Sequence, residues 1–449
     1  MSFFIGLLFV LLGGFTMWSA ATRPNAFSIF SATLGLFSIG YYSLPLVLRS
    51  FSTLDRVSDV DVNEAALMSI IYIICVLASF RMAASRSGRF RGFQFREIDR
   101  LAVENWWPVT TIAAILYLAY IMSTTLTFYN ADSIEDYLQD RSQIVGILGF
   151  FSNYLLAILS LNFAIAIQQR RMFRVGVVLL IYAVIEVRLA QGAQRLLFIT
   201  PIFMVVTALA GLRQYRVAGT ALLTGVAALL VVSPFFVAQR GVRGDAPSAR
   251  TQVSYEKGVG VTTLQSIADR SDLIYNMTFL KRYVDSHGYV GPLFYESVLV
   301  TPIPRFLMRN KPFVLSDNGR PDGEASILAW RLIVGESLGS LTAFGPIVAY
   351  REGGWAALVF DGLAAGVLFA LSIGIAARSG FFGLAFLPLL FLNFTVTKVP
   401  TSFFEGLAGV LVLLPMLFTL LLVNAFLALA TGRPDPAFSR QPRQSQPRR

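Results

Sequence analysis

The chain has 449 residues, 55% of them hydrophobic and only 14% charged, with a mean hydropathy of +0.64. Water-soluble domains carry about 25% charged residues, so an ordinary soluble enzyme is excluded. Apolar runs recur from Phe3 to Thr431 and are cut by short polar pieces, the pattern of an all-α polytopic membrane protein. The runs are apolar on all sides, whereas the strands of a membrane β-barrel alternate. A single cysteine, Cys75, and a single histidine, His287, exclude an internal disulfide and any Cys-based or multi-His metal centre.

The first apolar stretch, Phe3 to Met17, lacks the basic leader of a secretory signal and reads as a membrane helix. Further helices are predicted over 26–48, 65–83, 107–128, 147–167, 172–190, 196–211, 217–238, 355–377, 381–396 and 405–430, giving about eleven spans (10–13). A segment over 338–350 is short and interrupted by Gly and Pro. These elements divide the chain into an N-terminal membrane bundle of about eight spans (1–238), a large loop region (239–337), C-terminal membrane helices (338–430) and a basic Pro/Gln/Arg-rich tail (431–449) read as disordered.

Lys and Arg collect in short cytoplasmic loops. Arg81, Arg86, Arg89, Arg91, Arg96 and Arg100 therefore place the loop after the third helix inside. The same parity puts Arg170, Arg171 and Arg174, then Arg213 and Arg216, then Arg378 and the tail on that side. The opposite loops are acidic or mixed, as at Asp55, Asp59, Asp61 and Glu64, and at Asp132, Glu135, Asp136 and Asp140. The N-terminus and the 239–337 segment then lie outside. From Gln239 to Arg320 that segment holds eleven Lys or Arg against seven Asp or Glu. Topology does not explain a cationic surplus on this side; a solvated surface or an anion site does.

Three groups of external cations stand at predicted helix edges. Gln194-Arg195 starts one helix, Gln239-Arg240-Gly241-Val242-Arg243 follows another, and Arg305, Arg309 and Lys311 lie in Pro302-Ile303-Pro304-Arg305-Phe306-Leu307-Met308-Arg309-Asn310-Lys311-Pro312. A guanidinium fork meets phosphate oxygens bidentately, and glycines beside Arg240 and Arg243 admit an anion to the backbone. Taken alone, each is more often an arginine snorkelling to the interface; three on one face favour an anion site. Thr262 to Tyr283 reads as an amphipathic helix, suited to lying on the membrane as a lid. Glu336, beside Gly335, is a candidate general base if partly desolvated, or a carboxylate favoured by a helix N-terminus. Asp361 is an acid inside an apolar helix, a functional candidate or a partner for Arg351. Asp59-Val60-Asp61 is a weak divalent-cation pattern, and His287 is a lone loop histidine. No Walker loop, dinucleotide fingerprint or Ser-His-Asp spacing is present.

The order of these pieces resembles the Wzy-type O-antigen and exopolysaccharide repeat-unit polymerases. The similarity rests on the proline-arginine segment ending in Lys311-Pro312, followed by Gly335-Glu336, Phe344-Gly345 and Gly353-Gly354, and on the earlier Gln194-Arg195 and Gln239-Arg240-Gly241. It implies a GT-C-like fold in a bacterial inner membrane, with a large periplasmic loop carrying the amphipathic helix and a reaction at the periplasmic face. The growing glycan would leave undecaprenyl diphosphate for the non-reducing end of an incoming undecaprenyl-diphosphate-linked repeat unit, with no metal or other cofactor and no nucleic acid. It implies Arg195, Arg240 and Arg305 on the diphosphate, Arg243, Arg309 and Lys311 assisting, and Glu336 as base. A chain-length regulator and a repeat-unit flippase are implied partners. The alternatives are an O-antigen ligase or other lipid-linked-sugar glycosyltransferase, in which His287 would matter more, a lipid-linked glycan transporter, and a scaffold subunit.

Overall fold

A segment inside a bilayer must satisfy its own backbone hydrogen bonds, and about 20 apolar residues do so as a helix roughly 30 Å long. The computed structural model describes residues 2–22, 26–49, 59–86, 111, 114–122, 143–191, 195–212, 214–225, 227–228, 273–291, 303, 345–378, 380–396 and 399–413. Every regular element among them is helical. Five helices are long and apolar enough to cross a membrane: Phe3–Thr22, Phe27–Val47, Val60–Ser85, Phe151–Gln168 and Gly345–Ala376. These agree with the all-α membrane class read from composition. The 431–449 tail lies outside the described residues.

The elements are α1 (Ser2–Thr22), α2 (Ala26–Ser38) running through a π turn (Ile39–Ser43) into α3 (Leu44–Arg49), and α4 (Asp59–Arg86). Then come α5 (Gln143–Gln168), α6 (Met172–Gln191), α7 (Arg195–Gly211), α8 (Leu273–His287) and α9 (Gly345–Arg378). Last are α10 (Gly380–Phe391), a second π turn (Leu392–Val396) and α11 (Phe403–Leu413).

Where lipid surrounds the helices, close backbone approach has to hold them together, and small residues permit it. The α4–α9 contact shows this directly. Gly362 and Gly366, four apart on α9, face Tyr72 and Cys75, and Val76, Ser79 and Phe80. A Cβ on Gly366 would stand 2.3 Å from the Val76 carbonyl oxygen and 2.1 Å from Ser79 Oγ. Because 362 lies by 72–75 and 366 by 76–80, α4 and α9 run parallel. The Asp59 end of α4 and the Gly353-Gly354 break of α9 share one end of the bundle, and Arg86 and Arg378 share the other; Gly345 lies back at the level of Asp361, where its N–H meets the Pro400 carbonyl. Helices α1 and α2 use the same device in antiparallel sense. Gly13 and Gly35 cross face to face, with Gly35 2.9 Å from Gly13 Cα at its would-be Cβ, and Ser43 Oγ donates to the Gly6 carbonyl. Between these pairs sits an aromatic core in which Phe30 meets Phe80, Phe369 and Phe391, and Phe369 stacks on Phe394 at 4.1 Å between centroids.

Helix α10 does not continue into α11. The 399–402 loop between them is buried and therefore needs polar partners. Tyr42 hydroxyl donates to the Val399 carbonyl at 2.5 Å, and the Tyr72 hydroxyl oxygen lies 3.1 Å from the Thr401 carbonyl oxygen. Gly345 N–H donates to the Pro400 carbonyl. The Asp361 carboxylate accepts the Tyr72 hydroxyl at 2.5 Å and the Phe403 N–H at 3.0 Å, so it occupies a donor that the start of α11 leaves open. Asp361 is thus engaged by Tyr72 and Phe403 rather than by Arg351. Ser402 Oγ donates to Glu405 Oε2 in the same first turn of α11.

The 338–350 and 355–377 segments were expected to be separate, and the chain breaks between them: residues 345–352 and 355–378 are helical on either side of the non-helical Gly353 and Gly354. Gly354 has φ of 72° and so needs glycine. The amphipathic helix begins at Leu273 among the described residues and extends to His287.

Gly366→Ala should lower the unfolding midpoint in detergent, at a cost of about 1–3 kcal/mol, because backbone rather than a flexible side chain blocks the added methyl. Gly176→Ala, where a Cβ meets nothing within 4 Å, should leave the midpoint unchanged. Equal midpoints for the two variants would contradict the parallel α4–α9 contact.

Candidate functional site at one end of the bundle

Helix α8 carries Ile274, Met277, Leu280 and Val284 at helical spacing, all buried. Its first half is buried on other faces too, since Tyr275, Asn276 and Thr278 are also inside. Contacts fix its direction. Ser69 Oγ approaches Met277 Sδ at 3.4 Å, Lys281 pairs with Glu64, and Arg282 pairs with Asp61. Higher numbers in α8 meet lower numbers in α4, so α8 enters antiparallel beside α4 instead of lying flat across the end. Gly288 ends it, with φ of 87° and its N–H on the Val284 carbonyl, the single-bond left-handed cap.

The emerging half of α8 is charged. Lys281 Nζ lies 2.6 Å from both Glu64 Oε2 and Asp285 Oδ2, and its side chain is only 10% exposed. Asp285 Oδ1 accepts the Tyr350 hydroxyl of α9 at 2.8 Å, and the Lys281 ammonium stands 5.8 Å from the Tyr350 ring centroid. Three helices are therefore tied by one ammonium and its acids. Burial works to lower the Lys281 pKa, but the bonds to Asp285 and Glu64 outweigh it and hold the pKa above its ordinary value of 10.5. Arg282 gives both Nε, at 2.8 Å, and a terminal nitrogen to Asp61 Oδ2. Asp61, read from sequence as half of a divalent-cation pattern, is thereby a guanidinium partner. Among the described residues no group of three or more His, Cys, Asp or Glu is placed to hold a metal ion.

Aromatic rings continue from this cluster. Tyr350 is buried, and Tyr289 and Trp355 stand edge-on to it with centroids 6.0 and 5.9 Å away. Tyr289 lies over the α9 break, its hydroxyl 2.7 Å from where a Cβ on Gly354 would be. Val290 N–H donates to the Arg351 carbonyl, which fastens the turn after α8 to the same break. His287 is exposed, stacks on Tyr283 at 4.0 Å between centroids, and has Nδ1 beside the Tyr283 carbonyl and Ser286 Oγ.

Of the residues assigned from sequence, Arg195 is the first residue of α7. The far end of α7 meets α5, where Gln214 Nε2 donates to the Ala164 carbonyl. Arg195 therefore stands at the end of these helices opposite the Arg170–Arg171 turn. Its side chain lies outside the described residues, as do Arg240, Arg243, Arg305, Arg309, Lys311 and Glu336. Sequence reasoning missed Tyr289, Tyr350 and Trp355. Their signal was the Gly353-Gly354 pair, which forecasts a backbone break that neighbouring rings can cover. No family model matches the chain, and no characterised protein or solved structure is significantly similar to it.

Lys281→Met should destabilise the protein by about 1 kcal/mol, since its partners are half-exposed. A group with a raised folded pKa contributes fully below its ordinary value and loses that contribution as pH climbs through the folded one. The melting difference between wild type and Lys281→Met should accordingly hold up to about pH 10 and shrink above it. A difference that grows at alkaline pH would refute the ion cluster.

Proposed function

We propose that this protein polymerises lipid-linked oligosaccharide repeat units. The growing glycan transfers from undecaprenyl diphosphate to the non-reducing end of an incoming undecaprenyl-diphosphate-linked unit. The proposed setting is a bacterial inner membrane, with about eleven spans in a GT-C-like arrangement. The end of the bundle bearing Asp59 and the Gly353-Gly354 break is taken as periplasmic, because the opposite ends of α4 and α9 carry Arg86 and Arg378.

One observation carries the reading. Lys281 and Arg282 are held by Glu64, Asp285 and Asp61, so these two cations of the long segment serve packing. The other Lys and Arg of 239–320 still outnumber its remaining acids. They include the Arg240–Arg243 and Arg305–Lys311 motifs, whose order, with Arg195, resembles the polymerase family.

The chemistry needs such groups. Breaking the bond from the anomeric carbon to the diphosphate places negative charge on the departing phosphate oxygens. Arginine forks fixed at a partly dry interface stabilise that charge in the transition state. In this scheme Arg195, Arg240 and Arg305 hold the diphosphate, Arg243, Arg309 and Lys311 assist, and Glu336 accepts the proton of the attacking hydroxyl. The lipid carrier leaves as undecaprenyl diphosphate, and a chain-length regulator and a flippase are the expected partners.

A transporter of lipid-linked glycan is the second reading. It is favoured by the buried helix break beside Asp361, since broken helices line transporter sites. A transporter variant would stop repeat units from reaching the outer face, whereas a polymerase variant would leave single units there.

Arg195→Ala, Arg240→Ala and Arg305→Ala should each abolish long-chain polymer while single repeat units persist and protein levels stay normal, a loss of about 100-fold or more in rate. Lys at each position should restore activity only in part. A double Ala variant with normal glycan length on gels would remove these arginines from the mechanism.

A further inference from the structure

We propose that the exposed rings of Tyr289 and Trp355, with the Asp285 carboxylate beside them, form a contact surface for an uncharged sugar residue of the glycan. This rests on the functional reading above and adds a subsite to it, separate from the diphosphate grip. Three observations point to this ligand.

The rings are exposed and mounted. Tyr289 is 57% exposed and Trp355 39%, although both pack edge-on to the buried Tyr350. An aromatic girdle residue that only marks the membrane interface needs an amphipathic ring and no fixed orientation. Here Gly354, the Val290–Arg351 backbone bond and the glycine cap at 288 hold Tyr289 in place. Surfaces fixed before binding lose less entropy on contact.

Acceptors lie next to the rings. Asp285 and Glu64 are 42% and 44% exposed; Glu64 gives one oxygen to Lys281, and Asp285 gives Oδ2 to Lys281 and Oδ1 to the Tyr350 hydroxyl, each oxygen keeping a second lone pair. A pyranose presents a face of C–H groups, which sits favourably on the negative face of an aromatic ring, while its equatorial hydroxyls point outward as donors. A patch of ring faces flanked by carboxylate oxygens matches both features.

Charge selects against the alternatives. On α4 and α8 the cluster sets three carboxylates (Asp61, Glu64, Asp285) against two cations (Lys281, Arg282). On α9, Arg351 and Glu352 add one of each sign. Among the described residues this end of α8 thus carries an excess of acid, which repels a phosphate or an anionic lipid headgroup and leaves a neutral polyol unaffected.

The test uses the full chain in nanodiscs of zwitterionic lipid. The probes are the phosphate-free repeat-unit oligosaccharide released from the cells' own polymer and a set of neutral gluco- and galacto-oligosaccharides, with binding read by saturation-transfer NMR. The wild type is expected to bind at least one of them. Tyr289→Leu and Trp355→Leu should each weaken binding roughly tenfold, while Tyr289→Phe and Trp355→Phe, which keep a ring face, should weaken it far less. Leu variants that bind like wild type would overturn the proposal, as would a wild type that binds no neutral oligosaccharide. Phe and Leu variants equally impaired, with lowered melting temperatures, would reassign the rings to membrane anchoring and overturn it too. Arg195→Ala should keep oligosaccharide binding while losing polymer. If the arginine variants instead make polymer of normal length, the polymerase reading fails, and ring-dependent oligosaccharide binding still stands on its own.

Discussion

The close parallel contact of α4 with α9 organises the described part of the protein. A helix pair in lipid gains little from hiding apolar surface, so its stability must come from packing and from polar groups that meet across it. Gly362 and Gly366 let the two backbones approach, and that approach puts Asp361 against Tyr72. Asp361 then fixes the start of α11. A single close crossing thereby fixes the depth of a carboxylate, the path of the 399–402 loop and the common end of both helices.

The same crossing builds the polar end. Glu64 lies two helical turns above Tyr72 on α4, about 12 Å at 1.5 Å per residue. There Lys281 of α8 meets Glu64, and Tyr350 of α9 meets Asp285. Helix α8 is wedged beside α4 by its buried first half and clamped by its charged second half. Ionic and aromatic contacts therefore converge where α9 breaks at Gly353 and Gly354. The proposed chemistry would take place beside a scaffold whose own charges are already engaged.

The sequence revealed the fold class because apolar runs recur along the whole chain with few charges, and the positions of the described helices followed from those runs. Asp361 was legible as unusual, since an acid in an apolar helix costs too much to be incidental. Its partners were not legible, because Tyr72 and Phe403 lie 289 and 42 residues away and neither belongs to a recognisable motif. The polar positions of α8 were visible, yet Lys281 and Arg282 appeared as a solvated face. Their carboxylate partners sit on α4, 217 and 221 residues back in the chain. The burial of both sides of the first half of α8 was hidden for the same reason: periodicity reports one face of a helix and says nothing of a second neighbour. The arginine motifs, by contrast, were read from order alone, and their assignment stands on that order.

Two spanning helices that point the same way impose a parity on whatever joins them. The chain leaves α4 at Arg86 at one end of the bundle and starts the parallel part of α9 after Gly354 at the other. Between Arg86 and Gly354 the chain must therefore make a net passage from one end of the bundle to the other. An odd number of crossings, such as the five expected from the apolar runs, has the parity that such a passage requires.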